Sequence, residues 1–107
     1  MGGETLGTFE HQVLVAMMRL GDETYSVPIV RELERLTGRR IAPAAVYVTL
    51  RRLEDRGLVA SRKVPPPPGE PGRARRFFSV GPEAVALVRS MREELSRLWD
   101  GIEALEM

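Results

Sequence analysis

Residues 41–57, IAPAAVYVTLRRLEDRG, hold the side chains of this chain best suited to recognition chemistry. Val46, Leu50 and Leu53 recur at i, i+4 and i+7, which gives a helix with one apolar back. Ala44, Ala45, Tyr47, Val48, Thr49, Arg51 and Arg52 then fall on its sides and front, with no carboxylate before Glu54. Such a front fits a groove lined by phosphates. Small residues permit close approach, Tyr47 and Thr49 can hydrogen-bond, and the two arginines can meet phosphate oxygens or guanine edges. An ordinary amphipathic helix with a solvated basic face has the same composition, so the neighbouring segments must decide between the two.

Other chemistry has little support. His11 is the single histidine of the chain, and Glu93/Glu94 and Asp22/Glu23 are acidic pairs without partner geometry. No GxSxG, P-loop, GxGxxG or HExxH motif occurs, so neither an enzyme nor a cofactor is expected. No metal site is visible, and zero cysteines exclude disulfides and thiolate ligands and fit a reducing compartment.

The net charge of +1 hides an asymmetry. Residues 39–76 hold ten Lys/Arg against three acids, whereas the rest of the chain holds six bases against twelve acids. A basic middle between acidic ends points to one face that meets a polyanion. No apolar run approaches the ~20 residues that span a bilayer. The N-terminus, MGGETLGTFEHQ, also lacks the pattern of a signal peptide, so a cytoplasmic protein without membrane association is expected.

Four helices and a hairpin are predicted to position the basic front. The first helix spans about residues 9–20, with Thr8 as its cap and residues 1–7 loose before it. Phe9, Val13, Ala16, Met17 and Leu20 form its core stripe, while Leu14 and Met18 begin a second stripe that a second subunit could cover. Asp22 to Tyr25 read as a turn, and Ser26 caps a second helix that points Ile29, Val30, Leu33 and Leu36 inward. The central helix runs over about residues 43–56. Gly21, Gly38 and Gly57 follow the first three helices, and Pro28, Pro43 and Pro82 sit at the starts of the second to fourth, so stop and start signals agree.

After Gly57 the period shortens. Residues 58–64 and 76–80 alternate as two strands, joined through PPPPGEPGRAR, a long exposed tip that cannot serve a ladder. From Pro82 a helix is predicted to run to about residue 105. Its Ala84, Val88, Met91, Leu95, Leu98, Ile102 and Leu105 are spaced 4, 3, 4, 3, 4, 3, the rhythm of a coiled-coil seam, with Leu87 and Trp99 beside it.

This order of elements is mainly α with a small β-hairpin: a winged helix-turn-helix over residues 1–81 (wing about 58–80), followed by a long C-terminal dimerisation helix over residues 82–107. In such modules the second helix of the pair enters the major groove. The wing would lay Lys63, Arg73, Arg75 and Arg76 along phosphates or into the minor groove. Leu14, Met18, Val88, Met91, Leu95, Leu98, Trp99, Ile102 and Leu105 are the residues expected between two copies. A homodimer would meet a palindromic operator in double-stranded DNA, with half-sites about 34–36 Å apart or a multiple of it.

Three segments, LGTFEHQVLVAMMRLGDETYSVPIVRELE, AVYVTLRRLEDRGLV and GRARRFFSV, resemble the successive signatures of the PadR-like transcriptional regulators in their short form with a single C-terminal helix. The resemblance covers about residues 6–105 in unbroken order. It implies a homodimeric repressor of nearby genes that leaves DNA when a small effector binds. Tyr47 matches the family's tyrosine on the recognition helix, Arg51 and Arg52 match the polar positions after it, and residues 72–76 match the basic wing limb. Where the family commonly has an aromatic-basic-Leu-Thr run, this chain has Phe78, Ser79, Val80 and Gly81. Trp99, near Met91, Leu95 and Leu98, could line an apolar pocket between two final helices for a small aromatic or hydrophobic effector, although plain dimer packing explains the same residues. The competing function is a winged helix that binds protein, an adaptor without DNA binding.

Overall fold

Backbone chemistry sets the element boundaries. The computed structural model describes residues 5–102 and places α1 at Thr8–Leu20, α2 at Ser26–Thr37, α3 at Pro43–Asp55, β1 at Val59–Val64, β2 at Arg75–Val80 and α4 at Pro82–Trp99. Pro43 and Pro82 occupy first turns, where their missing N–H costs nothing. Gly57, at φ +76°, turns the chain out of α3 in a conformation that a side chain would resist, and this aims β1 back along the helix. The hairpin pairs antiparallel from Val59↔Val80 to Val64↔Arg75, and its tip, residues 65–74, is open loop.

Two caps differ from expectation. Gly7, not Thr8, precedes α1, and its N–H donates to Glu10 Oε1 at 2.9 Å, so the carboxylate three residues on satisfies the helix start. Tyr25, not Ser26, precedes α2. Leu6 is buried and anchors the chain before α1, so residues 5–7 are not the loose lead expected there. The turn after α1 is also more than a turn: Thr24 N donates to Phe78 O at 3.0 Å and Phe78 N to Thr24 O at 2.7 Å, adding one bridge to the outer edge of β2. A single residue in extended pairing has no period to reveal it.

The core draws on every element. Val13, Leu14 and Met17 of α1, Ile29 and Leu33 of α2, Val46, Leu50 and Leu53 of α3, Phe78 of β2, and Ala84 and Val88 of α4 are all buried in one cluster. Leu14 and Val88, expected between two copies, therefore lie in the interior of one chain, because α1 packs against α4 and β2 of its own chain, and of the second stripe only Met18 stays exposed. Leu36, expected inside, is exposed, since it lines an open groove that α2 shares with α1 and α4.

The last helix is shorter than its heptad pattern. Asp100 is already extended and Gly101 takes φ +87°, so the chain leaves the helix after Trp99 instead of continuing to about residue 105. Glycine costs ~1 kcal/mol in a helix interior, and here that preference wins over the seam. Ile102 stands beyond the helix end, and Leu105 lies outside the described residues.

Candidate nucleic-acid interface

The back of α3 is fully covered and its front is bare. Ala44, Ala45, Tyr47, Val48, Arg51 and Arg52 are exposed as expected, Val48 by 51%. Thr49 is the exception, at 4% exposure. At ~100° per residue it lies only ~60° round the helix from Val46 and ~40° from Leu53, inside the buried arc, so it is packing and not part of the front.

Side chains on the front are tied to one another. Arg51 Nη1 donates to Tyr47 Oη at 3.1 Å, and Arg51 Nε lies 3.2 Å from Glu54 Oε1. The hydrogen bond to the phenol, more than the carboxylates of Glu54 and Asp55, pushes the Arg51 guanidinium pKa up. The Tyr47 ring meets Phe78 of β2 edge-on, with centroids 6.1 Å apart. The Arg52 guanidinium, exposed on the front, has no hydrogen-bond or ion-pair partner among the described residues, which leaves its donors open. Arg56 turns away from the front: Nη1 donates to Glu10 Oε1 at 3.0 Å and Nη2 to the Thr5 carbonyl at 2.7 Å, pinning the end of α3 to the start of α1.

The register of the hairpin sorts its cations by face, because residues opposite one another in an antiparallel pair share a side. Ser61, Lys63, Arg76 and Phe78 face α3. Arg62, Arg75 and Phe77 face away. On the inner side Arg76 is half-buried and its Nη1 donates to Ser61 Oγ at 2.8 Å, while Ser61 Oγ donates to Glu54 Oε2 at 2.6 Å. On the outer side the Arg75 guanidinium stacks 4.1 Å from the centroid of Tyr25, whose ring also meets Phe77. Of the four wing cations expected to reach DNA, Arg75 and Arg76 thus have protein partners, and Lys63 and Arg73 are exposed without one among the described residues.

Sequence reasoning missed several participants. Arg62 makes two bonds to Glu23, at 2.8 and 2.9 Å, and this hydrogen bonding holds the Glu23 carboxyl below the usual carboxylate range. Arg40 is exposed in the link before α3, close to the helix start, and the excess of bases beginning at residue 39 could have marked it. The Glu54–Ser61–Arg76 chain had no sequence signal, since it depends on a hairpin register that the irregular tip does not specify.

Away from this front the exposed surface changes character. Leu95, Leu98 and Trp99 of α4 are exposed by 54, 69 and 46%, with Met18 of α1 and Ile102 also open. Beside them an apolar groove of about 450 Å³ runs between α1, α2 and α4, lined by Val15, Leu33, Leu36, Met91 and Leu95, with His11 at its polar edge. Met91 and Leu95 line this groove within one chain, and Trp99 stands outside it. No helix of the described residues is long and apolar enough to cross a membrane.

Residues 13–83 match the transcriptional regulator PadR-like family. No curated protein sequence matches the chain significantly. Among solved structures, the fold is similar to a PadR family transcriptional regulator from Eggerthella lenta, at 24% identity and TM-score 0.64 over 87% of this chain and 79% of that one. A PadR-like transcription factor from Bacteroides fragilis aligns with TM-score 0.73 at 14% identity, covering 92% of this chain and 90% of its own. Bacillus subtilis PadR in complex with operator DNA aligns with TM-score 0.66 at 14% identity over 79% of this chain and 46% of that one. At these identities the likeness is one of fold.

Proposed function

This chain belongs to the PadR-like family of transcriptional regulators, and from that premise we propose that it is a homodimeric repressor that reads a palindromic operator in double-stranded DNA and is released by a small-molecule effector. One observation carries the reading. The exposed front of α3, with its alanines, Tyr47, Arg51 and Arg52, belongs with the exposed Lys63 and Arg73 to one segment, residues 39–76, that holds ten bases against three acids. The operator complex of Bacillus subtilis PadR, which shares the fold, supports the assignment.

Residues 1–81 act as the reading module and residues 82–107 as the dimerisation element, with Met18, Met91, Leu95, Leu98, Trp99 and Ile102 as the apolar surface between copies. Burying a Leu, Ile or Met yields ~1.5–3 kcal/mol, enough in sum to hold two chains together. The effector is aromatic or hydrophobic and binds near Met91, Leu95 and Trp99, where it changes the spacing of the two reading helices. The protein works without catalysis, in the cytoplasm.

Titration with duplex DNA at rising salt tests this. A dimer that contacts about 6–10 phosphates loses ~10³–10⁵ in affinity between about 50 and 200 mM salt, and its preferred duplex binds more tightly than a scrambled one. Absence of duplex binding at low salt would leave the adaptor function instead. Trp99 fluorescence and operator affinity that do not change across aromatic and hydrophobic compounds would remove the effector from the proposal.

A further inference from the structure

Glu54 is the one acid placed between the two elements of the basic front. Its Oε2 accepts from Ser61 Oγ at 2.6 Å, and its Oε1 lies 3.2 Å from Arg51 Nε. Ser61 in turn accepts from Arg76 Nη1 at 2.8 Å. A single carboxylate on α3 thus meets Arg51 of its own helix directly and is linked to Arg76 of β2 through the Ser61 hydroxyl of β1. Among the described residues, Glu54 Oε1 is also the one buried side-chain oxygen or nitrogen without a hydrogen bond, although Arg51 stands opposite it. The helix pays for a carboxylate here.

The cost has a return if Glu54 does two things. Through Ser61 and Arg76 it fixes the angle between reading helix and wing, so both meet the duplex in one arrangement. Through Arg51 it occupies a cation that would otherwise find any phosphate, and it places a negative charge at the edge of the front, which weakens sequence-independent attraction. Both effects raise the ratio of operator to non-specific binding, because base contacts specify only when backbone contacts set a fixed register. We propose that Glu54 is a positioning residue that sets DNA specificity, coupling the wing to the reading helix while restraining non-specific binding; this rests on the DNA-binding reading given above.

Three variants separate the two effects from simple packing. Glu54→Gln keeps the shape and removes the charge. Ser61→Ala keeps the charge and cuts the wing link. Asp55→Asn removes the neighbouring acid, which is exposed on α3 and makes no hydrogen bond to the wing. The probes are a duplex selected by the wild-type protein from a randomised pool and a scrambled duplex of equal length, each titrated over a salt series, with a thermal melt of each variant.

For Glu54→Gln, affinity for the scrambled duplex rises about fivefold, the scale of one nearby charge in water. Its salt slope steepens by about one, as Arg51 gains a phosphate. Affinity for the selected duplex falls, so the ratio between them drops about tenfold or more. Ser61→Ala loses several-fold of the ratio, about threefold to tenfold, without strengthening scrambled binding. Asp55→Asn strengthens both duplexes alike and leaves the ratio in place. A ratio for Glu54→Gln within twofold of wild type, or scrambled binding that is unchanged or weaker, overturns the role, as does a Ser61→Ala ratio equal to wild type. If Glu54→Gln melts below the assay temperature, the Ser61→Ala result alone decides. Wild-type protein that selects no duplex removes the DNA-binding reading and this inference together, whereas wild-type selection with an unaltered Glu54→Gln ratio removes only the inference.

Discussion

Helices α3 and α4 are built alike and end up exposing opposite chemistry. Each starts on a proline after an extended residue, Ala42 or Gly81, and each carries an apolar stripe at helical spacing. In α3 the stripe is wholly used: Val46, Leu50 and Leu53 are buried, and what remains outside is small or cationic. In α4 it is used only at the start. Ala84 and Val88 enter the core, Met91 is half-buried, and Leu95 and Leu98 stand in water. A 13-residue helix matches the height of the other three-helix elements, whereas the 18-residue α4 outruns them. Two exposed surfaces of opposite chemistry call for two partners of opposite chemistry, a polyanion for one and apolar surface for the other.

The largest test of that contrast is Leu98→Asp. Leu98 is the most exposed of the large apolar residues in the described chain, so an aspartate there leaves the folded chain itself within ~0.5 kcal/mol of wild type. Between two copies the same change places an uncompensated charge in an apolar contact, which costs ~3–5 kcal/mol. Sedimentation equilibrium should show the dimer weakened by about 100-fold or more, and tight operator binding should go with it. A wild-type protein that sediments as one copy, or a variant that dimerises normally, breaks the comparison on the α4 side.

On the α3 side, Arg52→Ala should lower operator affinity by about tenfold, within the ~1–3 kcal/mol of one good arginine contact. The Arg52 guanidinium has no protein partner among the described residues, so the melting temperature and the dimer should not move. Arg51→Ala should cost less in net affinity, since Arg51 must leave Tyr47 and Glu54 before it can serve DNA. Equal losses for the two would mean that those contacts do not compete with DNA.

How much of this was legible in the residues follows from what periodicity can report. The limits of α3 were plain because Pro43 and Gly57 act locally, and the two strands were plain because their period changes after Gly57. Thr49 was misplaced because a polar side chain next to a cationic stretch looks like front, although its angle puts it in the buried arc. The seam of α4 marked one apolar face without saying what covers it: the same spacing serves Val88, covered by its own chain, and Leu98, covered by none of it. Periodicity identifies a buried side of a helix and is silent about which chain buries it. The wing contacts were least legible. Which of Arg62, Lys63, Arg75 and Arg76 turns toward α3 depends on pairing Ser61 with Phe78, and a slip of one residue would turn one strand's cations to the other face.

The smallest change sharpens the α3 half of the contrast. In Tyr47→Phe the ring keeps its edge-on contact with Phe78, and only the hydroxyl that accepts from Arg51 at 3.1 Å is lost. Tyr47 is exposed, so water replaces that bond, and stability should stay within ~0.5 kcal/mol of wild type. Operator affinity should fall by about twofold to tenfold, the ~0.5–1.5 kcal/mol of one hydrogen bond. The salt series tells where the hydroxyl acts. A phosphate contact made by the phenol itself carries no charge, so the slope holds while affinity falls. A hydroxyl whose work is to aim Arg51 loses the arginine's phosphate as well, and the slope becomes shallower by about one. Unchanged affinity would leave the ring alone as the contribution of Tyr47, and the front of α3 would then act through its arginines and its small residues.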